Sequence, residues 1–198
     1  MLGELKNTRS ALTCNINQKE GDKMKKINLF VDMDGVLAEQ QNDLIDFMFD
    51  KDFFLNRPPV HTMLEVVKKL EEKYNVYILT SVVGNEHCEP EKGLWLDKYL
   101  PEIKKENRLY VPAGKIKADF VNEKLDVKNS ASILFDDFTE NLKTWSFPGA
   151  IPVKVLNGLN NNFGTWVDNG GLYIDAYESP ANNVNRINLM VKKILLAN

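Results

Sequence analysis

The sequence predicts an α/β fold of three layers, a central parallel sheet with helices on both faces. Two observations predict it. From Ile27 onward, short apolar runs of strand length alternate with segments whose apolar residues recur at helical spacing, the signature of successive βα units. Several of those runs also end in Asp, Thr or Ser, at the carboxyl edge where an open parallel sheet binds ligands. A chain of 198 residues suits one domain with little room for a second. Its 43% hydrophobic and 27% charged residues are ordinary for a globular protein.

The elements follow in order. Residues Met1 to Lys26 carry six basic and three acidic side chains with no apolar period, and read as a flexible N-terminal tail before a domain spanning 27–198. Expected strands are Ile27 to Val31, Val76 to Leu79, Arg108 to Val111, Ser132 to Phe135 and Ile151 to Val155. A first helix within Val60 to Tyr74 places Met63, Val66, Val67 and Leu70 on one face. A second, from Glu91 to Leu100, would turn Leu94, Trp95, Tyr99 and Leu100 inward, with Pro90 suited to its first turn. Ile116 to Leu125 is helix-like. Asn157 to Gly171, rich in Asn and Gly, reads as a long loop, and an amphipathic helix from about Asn183 to Leu196 closes the chain.

Charge and cysteine content exclude several classes of function. A net charge of −3, with no basic cluster in the globular part, argues against a groove that tracks a long nucleic acid. No apolar run approaches the roughly 18 residues of a membrane span. Cys14 and Cys88 are too few for a disulfide scaffold, which suits a reducing compartment and makes the cytoplasm the default location.

Four segments carry chemistry. In Val31-Asp32-Met33-Asp34-Gly35-Val36, two carboxylates follow a buried strand and a glycine permits a sharp turn. Thr80 and Ser81 end the second strand with hydroxyls able to donate to a phosphate oxygen. Lys115, in Pro112-Ala113-Gly114-Lys115-Ile116-Lys117, stands near the start of a helix, with Lys117 as its substitute if it points away. Asp136 and Asp137 end the fourth strand, and adjacent carboxylates leaving a core must reach solvent or meet a cation. Each piece alone is weak, since acidic turns and strand-ending hydroxyls are common. Their order along the chain, each at the same edge of one sheet, is what makes them specific.

That order resembles the four motifs of the haloacid dehalogenase (HAD) superfamily, from Asp32 to Asp137. It is most similar to the 5'(3')-deoxyribonucleotidases, in Val31-Asp32-Met33-Asp34-Gly35-Val36-Leu37-Ala38, in His87-Cys88 followed by Glu91-Lys92 and Trp95, and in the pair Phe53-Phe54 before a proline turn. The resemblance covers most of residues 27 to 145, discontinuously. It departs in two places: the family's helical cap is long, whereas here only about Glu39 to Asp52 is available, for a very small cap around 39–60, and the interval from Lys115 to Asp136 is longer than in the family.

The resemblance implies a HAD-like Rossmannoid fold and a Mg2+-dependent phosphatase acting on small phosphomonoesters, with a (deoxy)nucleoside monophosphate as the expected substrate. Another metabolite such as a sugar phosphate, or a non-catalytic binding protein that keeps the fold, is the alternative. Asp32 is the expected nucleophile, Asp34 the general acid and base, Lys115 the cation on the phosphoryl oxygens, and Thr80 and Ser81 its hydrogen-bond donors. Mg2+ suits an oxygen site made by Asp32, the Asp34 backbone carbonyl and one of Asp136 and Asp137, the sequence leaving open which. Trp95 and Cys88 are expected to pack rather than react. Phe47, Phe53 and Phe54 are candidate base-stacking residues that core packing would equally explain.

Overall fold

A computed structural model describes residues 27–40, 45–127, 130–160 and 165–197. The expectation for residues 1–26 lies outside the described residues. Six parallel strands form one sheet in the order β3-β2-β1-β4-β5-β6. They are β1 (Ile27–Val31), β2 (Asn75–Val82), β3 (Arg108–Pro112), β4 (Ala131–Asp136), β5 (Ala150–Leu156) and β6 (Tyr173–Asp175). The five expected strands are all present. β6, three residues long, was not anticipated, being too short and too polar to register as an apolar run.

The helices divide between the faces. α1 (His61–Glu71), α2 (Cys88–Tyr99) and the last helix, α6 (Pro180–Ala197), bury Met63, Val66, Val67, Leu70, Trp95, Leu96, Ile187 and Val191 against Leu29, Val31, Ile78, Ile133 and Val155. α3 (Lys117–Lys124) and α4 (Thr139–Thr144) cover the other face, where Ala118, Phe120, Val121 and Leu142 meet Phe30, Leu79, Val111 and Leu134. Leu29 and Phe30 thus point to opposite sides, as the two-residue period of a strand requires. The strands are apolar on both faces because both are covered.

Two helical expectations need correction. α2 turns Leu94 out, 55% exposed, and buries Glu91 and Lys92 beside Trp95 and Leu96. The apolar pattern misplaced the face because two charged residues occupy it. The stretch expected as one loop, Asn157 to Gly171, contains a single helical turn, α5 (Thr165–Asp168).

After β1 the chain makes a short excursion. Glu39 N–H donates to the Pro58 carbonyl (2.8 Å) and Val60 N–H to Leu37 (2.7 Å), closing its base, with a 3-10 turn at Ile45–Phe49 as its helical part. α2 holds it from below. The Glu91 carboxylate accepts from the backbone N–H of Asp52 (2.6 Å) and Phe54 (3.0 Å), and Trp95 Nε1 donates to the Arg57 carbonyl (2.8 Å).

Candidate active site

The strand order reverses direction between β1 and β4, and the crevice at that switch point is where an open α/β sheet gathers ligand-binding groups. Asp32 leaves β1 there, its backbone N–H still bonded to the Phe135 carbonyl (2.9 Å). The turn behind it is tight. The Met33 carbonyl accepts from Leu37 (2.8 Å) and Ala38 (2.9 Å), and Gly35 adopts φ +75°, a left-handed conformation that costs glycine little. A Cβ at residue 35 would also overlap the Asp137 carboxylate, so glycine is required twice.

Three carboxylates converge: Asp32, Asp136 and Asp137 each offer an oxygen within 4.8 Å of the others. One ammonium sits among them. Lys117, 2% exposed, lies 2.9 Å from Asp32 Oδ1 and 2.7 Å from Asp136 Oδ2. Burial would lower its pKa, but the two carboxylates outweigh that and hold it raised. Lys117, even with Lys154 on the Asp137 side, does not balance three anions. Burial, with Asp136, Asp34 and Asp137 adding to it against Lys117, pushes Asp32 up to about 8. Burial and Asp136 push Asp137 up to about 7, opposed by Lys154, Lys117 and the Asn157 hydrogen bond. Oxygen-only donors with unbalanced negative charge are the chemistry of a hard divalent cation, and the residues fit Mg2+.

The two adjacent acids are differently employed. Asp136 is fully buried and its oxygens accept from Lys117, from the Phe138 N–H (2.8 Å) and from Asn141 Nδ2 (3.1 and 3.0 Å). Asp137 accepts on Oδ2 from Asn157 Nδ2 (2.8 Å).

On the other side of β1, Thr80 is buried and Ser81 exposed at the end of β2. A second buried lysine organises this flank. Lys92 Nζ donates to Thr80 Oγ1 (2.9 Å), to the Ser81 carbonyl (2.7 Å) and to the Asp34 carboxylate, and lies 4.6 Å from the Phe54 ring centroid. A cavity of about 650 Å³ opens over the group, lined by Asp32, Asp34, Ser81, Asp137, Lys154 and Asn157, with Phe138 and Leu159 as apolar walls.

Of the residues expected from sequence, the structure brings together Asp32, Asp34, Thr80, Ser81, Asp136 and Asp137. It does not bring Lys115, which pairs with Glu123 at the surface, its ammonium 5.5 Å from the Phe120 ring centroid. The reason is local. Gly114 turns the chain at φ +83°, and Lys115 N–H closes that turn onto the Pro112 carbonyl (3.0 Å), two residues before α3 starts. Lys117, the substitute, is the first helical residue and points inward. Phe54 is buried beneath Lys92, Phe53 packs under Arg57 and Phe47 is exposed, so the cavity wall takes its aromatic ring from Phe138 instead. Lys92 enters the sequence reading only through the resemblance, with no role assigned, and Asn157 and Lys154 do not enter it as site residues, because an Asn in an Asn-rich stretch and a Lys within a strand carry no distinguishing pattern. Trp95 and Cys88 are buried, as packing residues should be.

No protein-family model and no curated protein matches the chain. A solved structure does: the D,D-heptose 1,7-bisphosphate phosphatase of B. bronchiseptica, complexed with magnesium and phosphate. It superposes with a TM-score of 0.59 at 15% identity over 84% of this chain and 99% of that one. Six parallel strands between two helical layers, superposing on that phosphatase, give this chain the HAD-like Rossmannoid fold.

Proposed function

We propose that the protein is a Mg2+-dependent phosphatase of small phosphomonoesters, with a nucleoside or deoxynucleoside monophosphate as substrate. The observation that carries this reading is the position of Asp32, at the floor of an open cavity between a buried lysine and a second pair of carboxylates. Phosphoryl transfer needs in-line positioning and charge neutralisation more than elaborate covalent chemistry, and these groups supply both.

Asp32 attacks phosphorus, and the bond to the leaving oxygen breaks as Asp34 gives that oxygen its proton. Asp34, now a carboxylate, takes a proton from the water that attacks the aspartyl phosphate, freeing Asp32 and inorganic phosphate. Lys92 holds the Asp34 carboxylate in place while bonded to Thr80 and Ser81. Lys117 takes the role expected of Lys115, neutralising charge beside the nucleophile, with Thr80 and Ser81 facing the phosphoryl group from β2. Bound Mg2+ would offset the repulsion between nucleophile and phosphate dianion. The residues that would hold it are Asp32, the Asp34 backbone carbonyl and Asp137. Asp136 is the less suitable of the pair because both its oxygens are already taken by donors.

The nucleotide draws support from the residues the chain shares with the deoxyribonucleotidases, which form one connected group: Glu91 on Phe54, Trp95 on Arg57, Lys92 on Asp34. Phe138 and Leu159 offer apolar walls to a base. The test is phosphate release from nucleoside 5'- and 3'-monophosphates, their deoxy forms and sugar phosphates, with Mg2+ or excess chelator, for wild type and Asp32→Asn. Metal-dependent release concentrated on nucleotides and absent in the variant is expected. Preference for sugar phosphates would replace the substrate assignment, and wild-type rates in Asp32→Asn would overturn the nucleophile.

A further inference from the structure

The end of β5 reaches into this site with three side chains that no phosphatase motif of the sequence includes. Asn157, 6% exposed, donates through Nδ2 to both the Gly35 carbonyl (3.0 Å) and Asp137 Oδ2 (2.8 Å). Its Oδ1 accepts from the backbone N–H of Leu159 and Asn160, both at 3.2 Å, which fixes which end of the amide faces the site. Asn160 Nδ2 donates to the Asp137 carbonyl (3.1 Å) and the Val155 carbonyl (2.9 Å), while its Oδ1 accepts from Asn157 N–H (3.0 Å). Lys154 Nζ donates to the same Asp137 carbonyl and to Thr139 Oγ1 (2.9 Å).

Asp137 needs such an anchor. It stands within reach of two other carboxylates, and Lys117, whose ion pairs are with Asp32 and Asp136, does not pair with it. Left to mutual repulsion, its carboxylate would swing toward solvent. We infer that Asn157, supported by Asn160 and Lys154, is a positioning residue for the cation: it ties Asp137 to the turn that follows the nucleophile, so that the oxygens of Asp32 and Asp137 face one another before metal arrives. This rests on the metal-dependent reading above. Groups that orient ligating side chains typically contribute 10- to 100-fold in metal affinity.

The experiment is Mg2+ titration of the metal-free protein, by calorimetry and by the rise in melting temperature, for wild type, Asn157→Ala, Asn160→Ala and Asn183→Ala. The last removes a buried amide that donates to the Asp175 carbonyl (2.7 Å) and to none of the clustered acids, and serves as the purely structural control. Asn157→Ala should weaken Mg2+ binding by about tenfold or more, Asn160→Ala by less, and Asn183→Ala not at all, whatever each does to the metal-free melting temperature. Should Asn157→Ala fail to fold, Asn160→Ala decides alone. Wild-type Mg2+ affinity in the folded variants would overturn the positioning role while leaving the phosphatase standing. A wild type that binds no Mg2+ would overturn both.

Discussion

Two lysines two residues apart in the chain have opposite situations, and a pair of substitutions separates them. Lys117 is buried between Asp32 and Asp136, so Lys117→Met leaves two buried carboxylates without their cation and should cost about 3–5 kcal/mol in metal-free stability, with loss of turnover. Lys115 pairs with Glu123 in solvent, and Lys115→Met should change stability by less than about 1 kcal/mol and leave turnover near wild type. Denaturant melts and phosphate release check both. Gly35 is a third residue whose role is plain in the structure. Gly35→Ala would force a strained φ and push the Asp137 carboxylate aside, so Mg2+-dependent activity should be lost, as a metal titration would show.

At this scale the carboxylates and hydroxyls of the site were legible in the sequence, because each follows a recognisable strand. Of the lysines, the pair Lys115 and Lys117 was legible but the choice between them was not. Lys115 lies in the turn before α3 and Lys117 is the first residue of the helix, and the left-handed turn at Gly114 decides which of them reaches the core. The role of Lys92 was hidden more deeply, since a buried lysine looks like a solvated one until its three acceptors are in place.

Among the elements, α2 is the joint between the excursion and the flank of the site that carries Asp34. Consecutive residues divide the work: the Glu91 carboxylate receives two backbone N–H groups of the excursion, while Lys92 reaches Asp34. Hydrogen bonds to a buried charged group are worth about 1.5–3 kcal/mol each, so Glu91→Ala should destabilise by about 2 kcal/mol or more. Hydrogen exchange should accelerate first at the Asp52 and Phe54 amides. Asp52, at φ +67°, sits in a conformation that needs such support. The existence of α2 was evident from its period, but its inward face was not, because helical patterning counts apolar residues and the face is built around an acid and a base. β6 escaped for the opposite reason, having only Ile174 fully buried to mark it.

For the whole molecule, the convergence of acids sets a pH dependence. Asp32 and Asp137 have folded-state pKa values raised to about 8 and about 7, well above those of an unfolded carboxyl. A raised carboxyl favours the protonated folded state, so the metal-free protein should lose stability as pH climbs through 7 and 8 and regain it as pH falls. Added Mg2+ replaces the protons as counter-charge. The gain in melting temperature on adding Mg2+ should therefore grow from pH 6 to pH 9, a trend that thermal melts across buffers would read directly. A Mg2+ effect that shrank over that range would contradict it.

The sheet's order also governs how the protein comes into being. β1 is the first described segment of the chain, yet it lies at the centre of the sheet, pairing Asn28 with Asn75 on one side and Ile27 with Ala131 on the other. A ribosome delivers β1 long before its second neighbour exists, so the strand that leads into Asp32 must wait for β4 to emerge. Contacts so distant along the chain make for slow folding. During that interval the nascent protein exposes a sticky strand that invites protection by a chaperone. The same order means that Asp32 meets Asp136 and Asp137 only when β4 joins the sheet.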